Sequence, residues 1–180
     1  NAGAWGATPK FDGHCILMWK DSYETRAVYN QSGTDVADVV MPELRLPTAV
    51  TGLVLQCELM GMRSMKDRTD PFVIIHDVWM EDTTYLERVG FLTSIFRTYD
   101  MYWKRKGRIY VAPNISLEVD EHWSSMKDYN SLLGCPFYEG FVFKRWDSLM
   151  SFDWKDSRER AKKPPKHTSW LKVKYPDEML

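Results

Sequence analysis

An α+β domain with mainly antiparallel sheets is predicted by three observations. Several apolar, β-branched runs have strand length, two stretches have helical spacing, and turn residues separate them. Residues 14–19 and 26–30 read as two strands around the polar turn Lys20-Asp21-Ser22. Residues 53–60 and 72–79 are apolar runs bounded by Gly and Pro, with a polar, turn-like stretch at 61–71 between them. Tyr85, Leu86, Val89, Leu92 and Phe96 recur at helical spacing, which predicts a helix over 85–99 with Thr83 or Thr84 as its N-cap. Residues 108–111 form a short strand ending at Pro113. Residues 119–133 suit a second helix, closed by Gly134 and Pro136. Strands over 137–146 and 169–175 complete the set, with a basic segment between them.

The 180 residues suit a single domain spanning 1–180. A hydrophobic fraction of 44% against 27% charged residues excludes a disordered chain. Aromatic residues reach 14%, with eight Trp, most of them expected in the core. The net charge of −1 does not by itself point to nucleic acid. Its distribution says more: Lys155, Arg158, Arg160, Lys162, Lys163 and Lys166 crowd together against only Asp156 and Glu159. Cys15, Cys57 and Cys135 are an odd set without paired spacing, which argues for a reducing compartment, and a cytoplasmic location is expected. The spacing of His14, Cys15 and Cys57 matches no structural zinc pattern. No apolar run approaches the roughly 20 residues that cross a bilayer.

The candidate chemistry begins at Lys10-Phe11-Asp12-Gly13. A lysine can act as a nucleophile when burial or a neighbouring charge leaves it partly deprotonated, and Gly13 would let the backbone turn tightly beside it. Taken alone, K-x-D-G also fits a surface turn. Further along come Cys57-Glu58-Leu59, the strand carrying His76-Asp77, Glu139-Gly140-Phe141-Val142-Phe143-Lys144, and Trp170-Leu171-Lys172-Val173-Lys174. Glu58 is a carboxylate in an apolar strand, and Lys172 and Lys174 alternate with Leu171 and Val173, so a strand puts both ammonium groups on one face.

This ordered series resembles the covalent nucleotidyltransferase superfamily of DNA ligases, RNA ligases and mRNA capping enzymes, and within it the ATP-dependent DNA ligases. The motifs are K-x-D-G, a strand with E-L, an aromatic-Asp strand, E-G-x-V-x-K and K-x-K. Tyr85-Leu86-Glu87-Arg88 is similar to the L-x-E-R stretch of DNA ligases. The resemblance implies two twisted sheets flanked by helices with the nucleotide between them. It implies that Lys10 attacks ATP to give lysyl-AMP, that AMP passes to a 5′-phosphate, and that a 3′-hydroxyl seals the strand. Glu139 and Glu58 would serve Mg²⁺, Glu58 also the ribose, and Lys144, Lys172 and Lys174 the phosphates. His76 would stack on adenine, and backbone groups of Thr8 and Pro9 would read its edge. The basic segment would contact the phosphates of a nicked DNA duplex, bound by a monomer.

Two positions depart from the ligase pattern. Cys15 stands where K-x-D-G-x-R has its arginine, and Gln31 stands for the arginine of S-R-x-G. RNA ligases also lack the first arginine, so RNA remains an alternative substrate, followed by capping-type guanylyl transfer and a binding module that has lost catalysis. Ligases usually continue into an OB-fold domain, and the resemblance implies that this chain lacks it, either as a truncated or as a minimal enzyme.

Overall fold

A computed structural model describes residues 4–20, 25–29, 45–64, 67–100, 107–115, 124–128, 130, 137–150 and 170–174. Its strands are β1 (Trp5–Phe11), β2 (His14–Lys20), β3 (Thr25–Tyr29), β4 (Val54–Ser64), β5 (Asp67–Trp79), β6 (Ile109–Val111), β7 (Tyr138–Arg145) and β8 (Trp170–Lys174). They form a three-stranded sheet in the order β1-β7-β8 and a five-stranded sheet in the order β3-β2-β4-β5-β6. Every pairing is antiparallel except β5 with β6. The α+β class and the two mainly antiparallel sheets are as the sequence predicts.

Four elements differ from expectation. The stretch 61–71, expected to be turn-like, is largely strand, since β4 runs on to Ser64 and β5 begins at Asp67. Residues before Gly13 are a full strand, β1, although Pro9 cannot donate to a ladder. Pro9 is tolerated because, among the described strands, β1 pairs with β7 alone and so lies at the edge of its sheet. Helix α1 (Tyr85–Ile95) stops four residues early. Its C-cap Phe96 is extended, Tyr99 N–H donates to Val111 O at 2.8 Å, and Val111 N–H donates to Arg97 O at 2.9 Å. Pairing with β6 thus takes over from the helical period. Of the helix expected over 119–133, residues 124–128 and 130 are helical, and the remainder lies outside the described residues.

The start of α1 follows from its sequence. Thr84 caps the helix, accepting from Glu87 N–H, while the Glu87 carboxylate accepts from Thr84 N–H, so two orphan donors are satisfied reciprocally. Leu92 and Phe96 bury against one face of the larger sheet, together with Ile16, Leu55, Cys57, Val73, Ile75 and Val78. A second core, including Phe11, Met60, Phe72, Ile74, Tyr138 and Phe141, draws on both sheets and ties them together.

Arg88 belongs to this framework, not to an exposed helix face. It is 1% exposed, its Nε donates to Asp77 Oδ1 at 2.8 Å, its Nη2 to Asp77 Oδ2 at 3.2 Å, and its Nη1 to Thr83 O at 2.6 Å. Truncating one member of such a pair strands the other charge in the core. Arg88→Ala is therefore expected to lower unfolding free energy by about 3–5 kcal/mol. Urea denaturation measures this, and a loss below about 1 kcal/mol would show that the pair is not a structural anchor.

Candidate active site between the two sheets

A cavity of about 300 Å³ opens where the sheets face each other, at the lower end of the range for small-molecule sites. The smaller sheet contributes Lys10, Phe11, Glu139, Val142, Lys144, Trp170 and Lys172. The larger one contributes Cys15, Gln56, Glu58 and His76, with Gly13 at the junction. Motifs that lie far apart in the chain therefore meet in one place.

Two β-bulges aim the key side chains. On β7, Lys10 pairs with Gly140 and Phe11 with Tyr138, which leaves Glu139 as the extra residue. Beyond the bulge Phe141 and Phe143 face the shared core while Val142 and Lys144 face the cavity. Before it, Tyr138 faces the core and Glu139 the cavity. Without the extra residue, strict alternation would turn Glu139 away from Val142 and Lys144. Gly140 makes this possible: its φ is +138°, and a Cβ there would lie 2.0 Å from Val173 O.

The second bulge is on β5. Cys57 pairs with Ile75 and Gln56 with Asp77, so His76 is the extra residue. Val73, Ile75 and then Val78 share one face, so His76 and Asp77 both turn away from it. His76 enters the cavity by ordinary alternation with Ile75, while the extra residue keeps Asp77 off the Ile75 face, where it reaches Arg88.

Gly13 serves by close approach to β4 and not by a left-handed turn. A Cβ there would lie 2.6 Å from Leu59 O and 2.8 Å from Glu58 Cγ.

Glu139 is the hub of the charged end. Its Oε2 accepts from Lys10 Nζ at 2.8 Å and from Lys174 Nζ at 2.5 Å. Burial alone would push its carboxyl up, but hydrogen bonds from Lys10, Lys174 and Asp12 outweigh that and hold it below the usual carboxylate range. Asp12 moves the other way, raised by burial and by the neighbouring Glu139. Across the cavity Glu58 Oε2 lies 3.6 Å from His76 Nε2. Burial lowers the His76 imidazole despite that carboxylate, so near neutral pH this is a contact of a neutral ring. The His76 ring lies 6.0 Å from that of Phe11.

Lys144 is 1% exposed and crosses from β7 to the larger sheet, where its Nζ donates to His76 O at 3.1 Å. The ammonium group sits 4.1 Å from the Trp170 ring centroid and 4.9 Å from that of Tyr85. Trp146 stacks on Tyr85 at 5.3 Å.

Lys10, Glu58, His76, Glu139, Lys144 and Lys172 thus all line one cavity, and Lys174 joins them through Glu139. Thr8 and Pro9 are buried in β1, paired with Val142 and Phe141, and are not among the lining residues. Lys155, Arg158, Arg160, Lys162, Lys163, Lys166 and Gln31 lie outside the described residues. Asp12, Gln56, Val142 and Trp170 join the site without having been singled out from sequence. Trp170 and Val142 were detectable, since each sits two residues from a candidate lysine on the same strand face. Glu139 and Glu58 are hard oxygen donors of the kind Mg²⁺ takes. No group of three or more metal-ligating side chains exists among the described residues, so two carboxylates with phosphate oxygens and water would complete such a shell.

Burial holds Lys144 down to about 8, ahead of repulsion from Arg88 and Lys172 and against attraction by Asp77. An unfolded lysine titrates near 10.4. Between those values the unfolded chain binds the additional proton, so this group makes stability rise with pH. The melting temperature of the protein relative to Lys144→Met is expected to climb between about pH 8 and about pH 10. A pH-independent difference in paired thermal melts would contradict the burial of a charged amine.

Comparison with known proteins places the fold. No family sequence model and no curated protein sequence matches this chain. Solved structures do. The ligase domain of M. tuberculosis LigD aligns with a TM-score of 0.59 at 19% identity, covering 96% of this chain and 55% of the other. Mycobacterial DNA ligase D complexed with ATP aligns at 0.54 and 18%, covering 97% and 55%. A Lig E DNA ligase aligns at 0.54 and 12%, covering 97% and 63%. The chain spans somewhat more than half the length of these proteins. Two mainly antiparallel sheets, matched over nearly the whole chain, identify the ligase-type nucleotidyltransferase fold.

Proposed function

We propose that this chain is the adenylation domain of an ATP-dependent DNA ligase, with Lys10 as the nucleophile. The observation that carries the reading is the meeting of Lys10 and Glu139 at 2.8 Å in a cavity that also holds Glu58, His76 and Lys172. Lys10 Nζ attacks the α-phosphorus of ATP; the N–P bond forms as the bond to the β-phosphate oxygen breaks, and pyrophosphate leaves. The proton released from the amine passes to the Glu139 carboxylate, which Lys10 Nζ contacts at 2.8 Å. Lys172 and Lys174 neutralise phosphate charge, Glu58 meets the ribose, and His76 offers a flat face to adenine. Mg²⁺ held by Glu139 and Glu58 would add charge neutralisation at the phosphates. Glu139 is paired with the ammonium groups of both Lys10 and Lys174, and breaking its contact with Lys10 would free that amine to attack.

The next step transfers AMP from Lys10 to the 5′-phosphate of a nicked DNA duplex, and the 3′-hydroxyl then displaces AMP. The basic stretch containing Lys155, Arg158, Arg160, Lys162, Lys163 and Lys166 would hold backbone phosphates, an attraction weakened by salt. Cys15, in the cavity where ligases carry arginine, favours RNA ligation as the second reading.

Incubation with α-labelled ATP and Mg²⁺ is expected to give one covalent AMP per chain, absent in Lys10→Ala. Label persisting in that variant would end the Lys10 assignment, and label from GTP in place of ATP would indicate capping-type chemistry. Sealing of nicked DNA in preference to nicked RNA supports the DNA reading; the reverse preference replaces it.

A further inference from the structure

We infer that Lys144 is a positioning residue for the base end of the cavity, holding the His76 bulge in place instead of contacting phosphate. The inference rests on the nucleotide-binding reading of the cavity. As the extra residue of its bulge, His76 has no Cα partner on β4. The β5–β6 ladder runs from Val73 to Ile75, and Ala112 N–H takes the Ile75 carbonyl at 2.9 Å. The next carbonyl, that of His76, receives Lys144 Nζ at 3.1 Å. A buried side chain thus supplies what a neighbouring strand would otherwise give. The direction of the Lys144 stem is fixed from three sides, by Trp170 on β8, by Tyr85 on α1 and by its own strand β7. Tyr85 is itself pinned by stacking on Trp146 and by a 3.4 Å hydrogen bond from its hydroxyl to Asn114 Oδ1. Asp77, the residue after His76, is tied to Arg88 on the same helix. The backbone on either side of the His76 ring is therefore clamped, and the ring can face the cavity only as this clamp directs. Lys172 lines the same cavity and Lys174 contacts Glu139 there, and both are far more exposed than Lys144, which leaves the phosphates to them.

Binding of ATP, adenosine and inorganic tripolyphosphate to the full chain separates the two roles. Lys144→Met is expected to weaken ATP and adenosine about tenfold, the size of losing one base-stacking contact, and to leave tripolyphosphate unchanged. His76→Ala should give the same loss, and the double variant should lose no more than either single one. Lys144→Arg, which keeps a cationic donor, should restore adenosine binding. Lys144→Leu, which likewise removes the donor, replaces the Met variant should that fail to fold. Equal loss of tripolyphosphate and ATP would overturn the inference, as would additive losses in the double variant. Wild-type protein that binds neither ATP nor adenosine would instead remove the nucleotide reading beneath it.

Discussion

Lys144 is the point on which both sheets converge. A lysine ammonium group deep in a seam costs desolvation free energy, and proteins keep one there only when its donors and its charge are answered. Here the answers come from three separate elements. A carbonyl on β5 accepts the hydrogen bond, aromatic faces on α1 and β8 take the charge, and Asp77 attracts it from beside the Arg88 pair. None of these groups is near Lys144 in the chain. The two sheets, the helix N-terminus and the last described strand therefore have to be docked together before the amine can be buried.

The charged end of the cavity follows a similar logic with the opposite exposure. Glu139 gathers Lys10 and Lys174 on one oxygen, and Asp12 shares its hydrogen bonding. These groups stay partly open to solvent, so their pairing can be exchanged without dismantling the core. A buried clasp beside an exchangeable ion cluster is what a site needs if it must hold its shape while its partners change.

Both bulges show how an irregular strand serves this site. A regular strand offers alternate residues to one face, so Glu139 would be turned away from Val142 and Lys144, and Asp77 would be turned to the face of Val73 and Ile75. One extra residue in each strand corrects the parity, at Gly140 by a backbone angle that no residue with a Cβ adopts in that space. Cys15 is a simpler case: it pairs with Glu58 across a regular ladder and lines the cavity wall.

Much of this was legible in the residues alone. The α+β class, seven of the eight described strands, the capped start of α1 and the candidate set Lys10, Glu58, Glu139 and Lys172 follow from periodicity, capping chemistry and motif order, because those signals are local. The shared face of Lys172 and Lys174 was likewise readable, since a strand of period two leaves no other choice. Strand β1 was hidden by Pro9, whose tolerance depends on an edge position that no local pattern reveals. The early end of α1 was decided by β6, which captures Tyr99 and Arg97. The roles of Arg88 and Lys144 were decided by burial alone. As sequence each is an ordinary basic residue, and only docking against Asp77, His76, Tyr85 and Trp170 turns them into the anchors of the site.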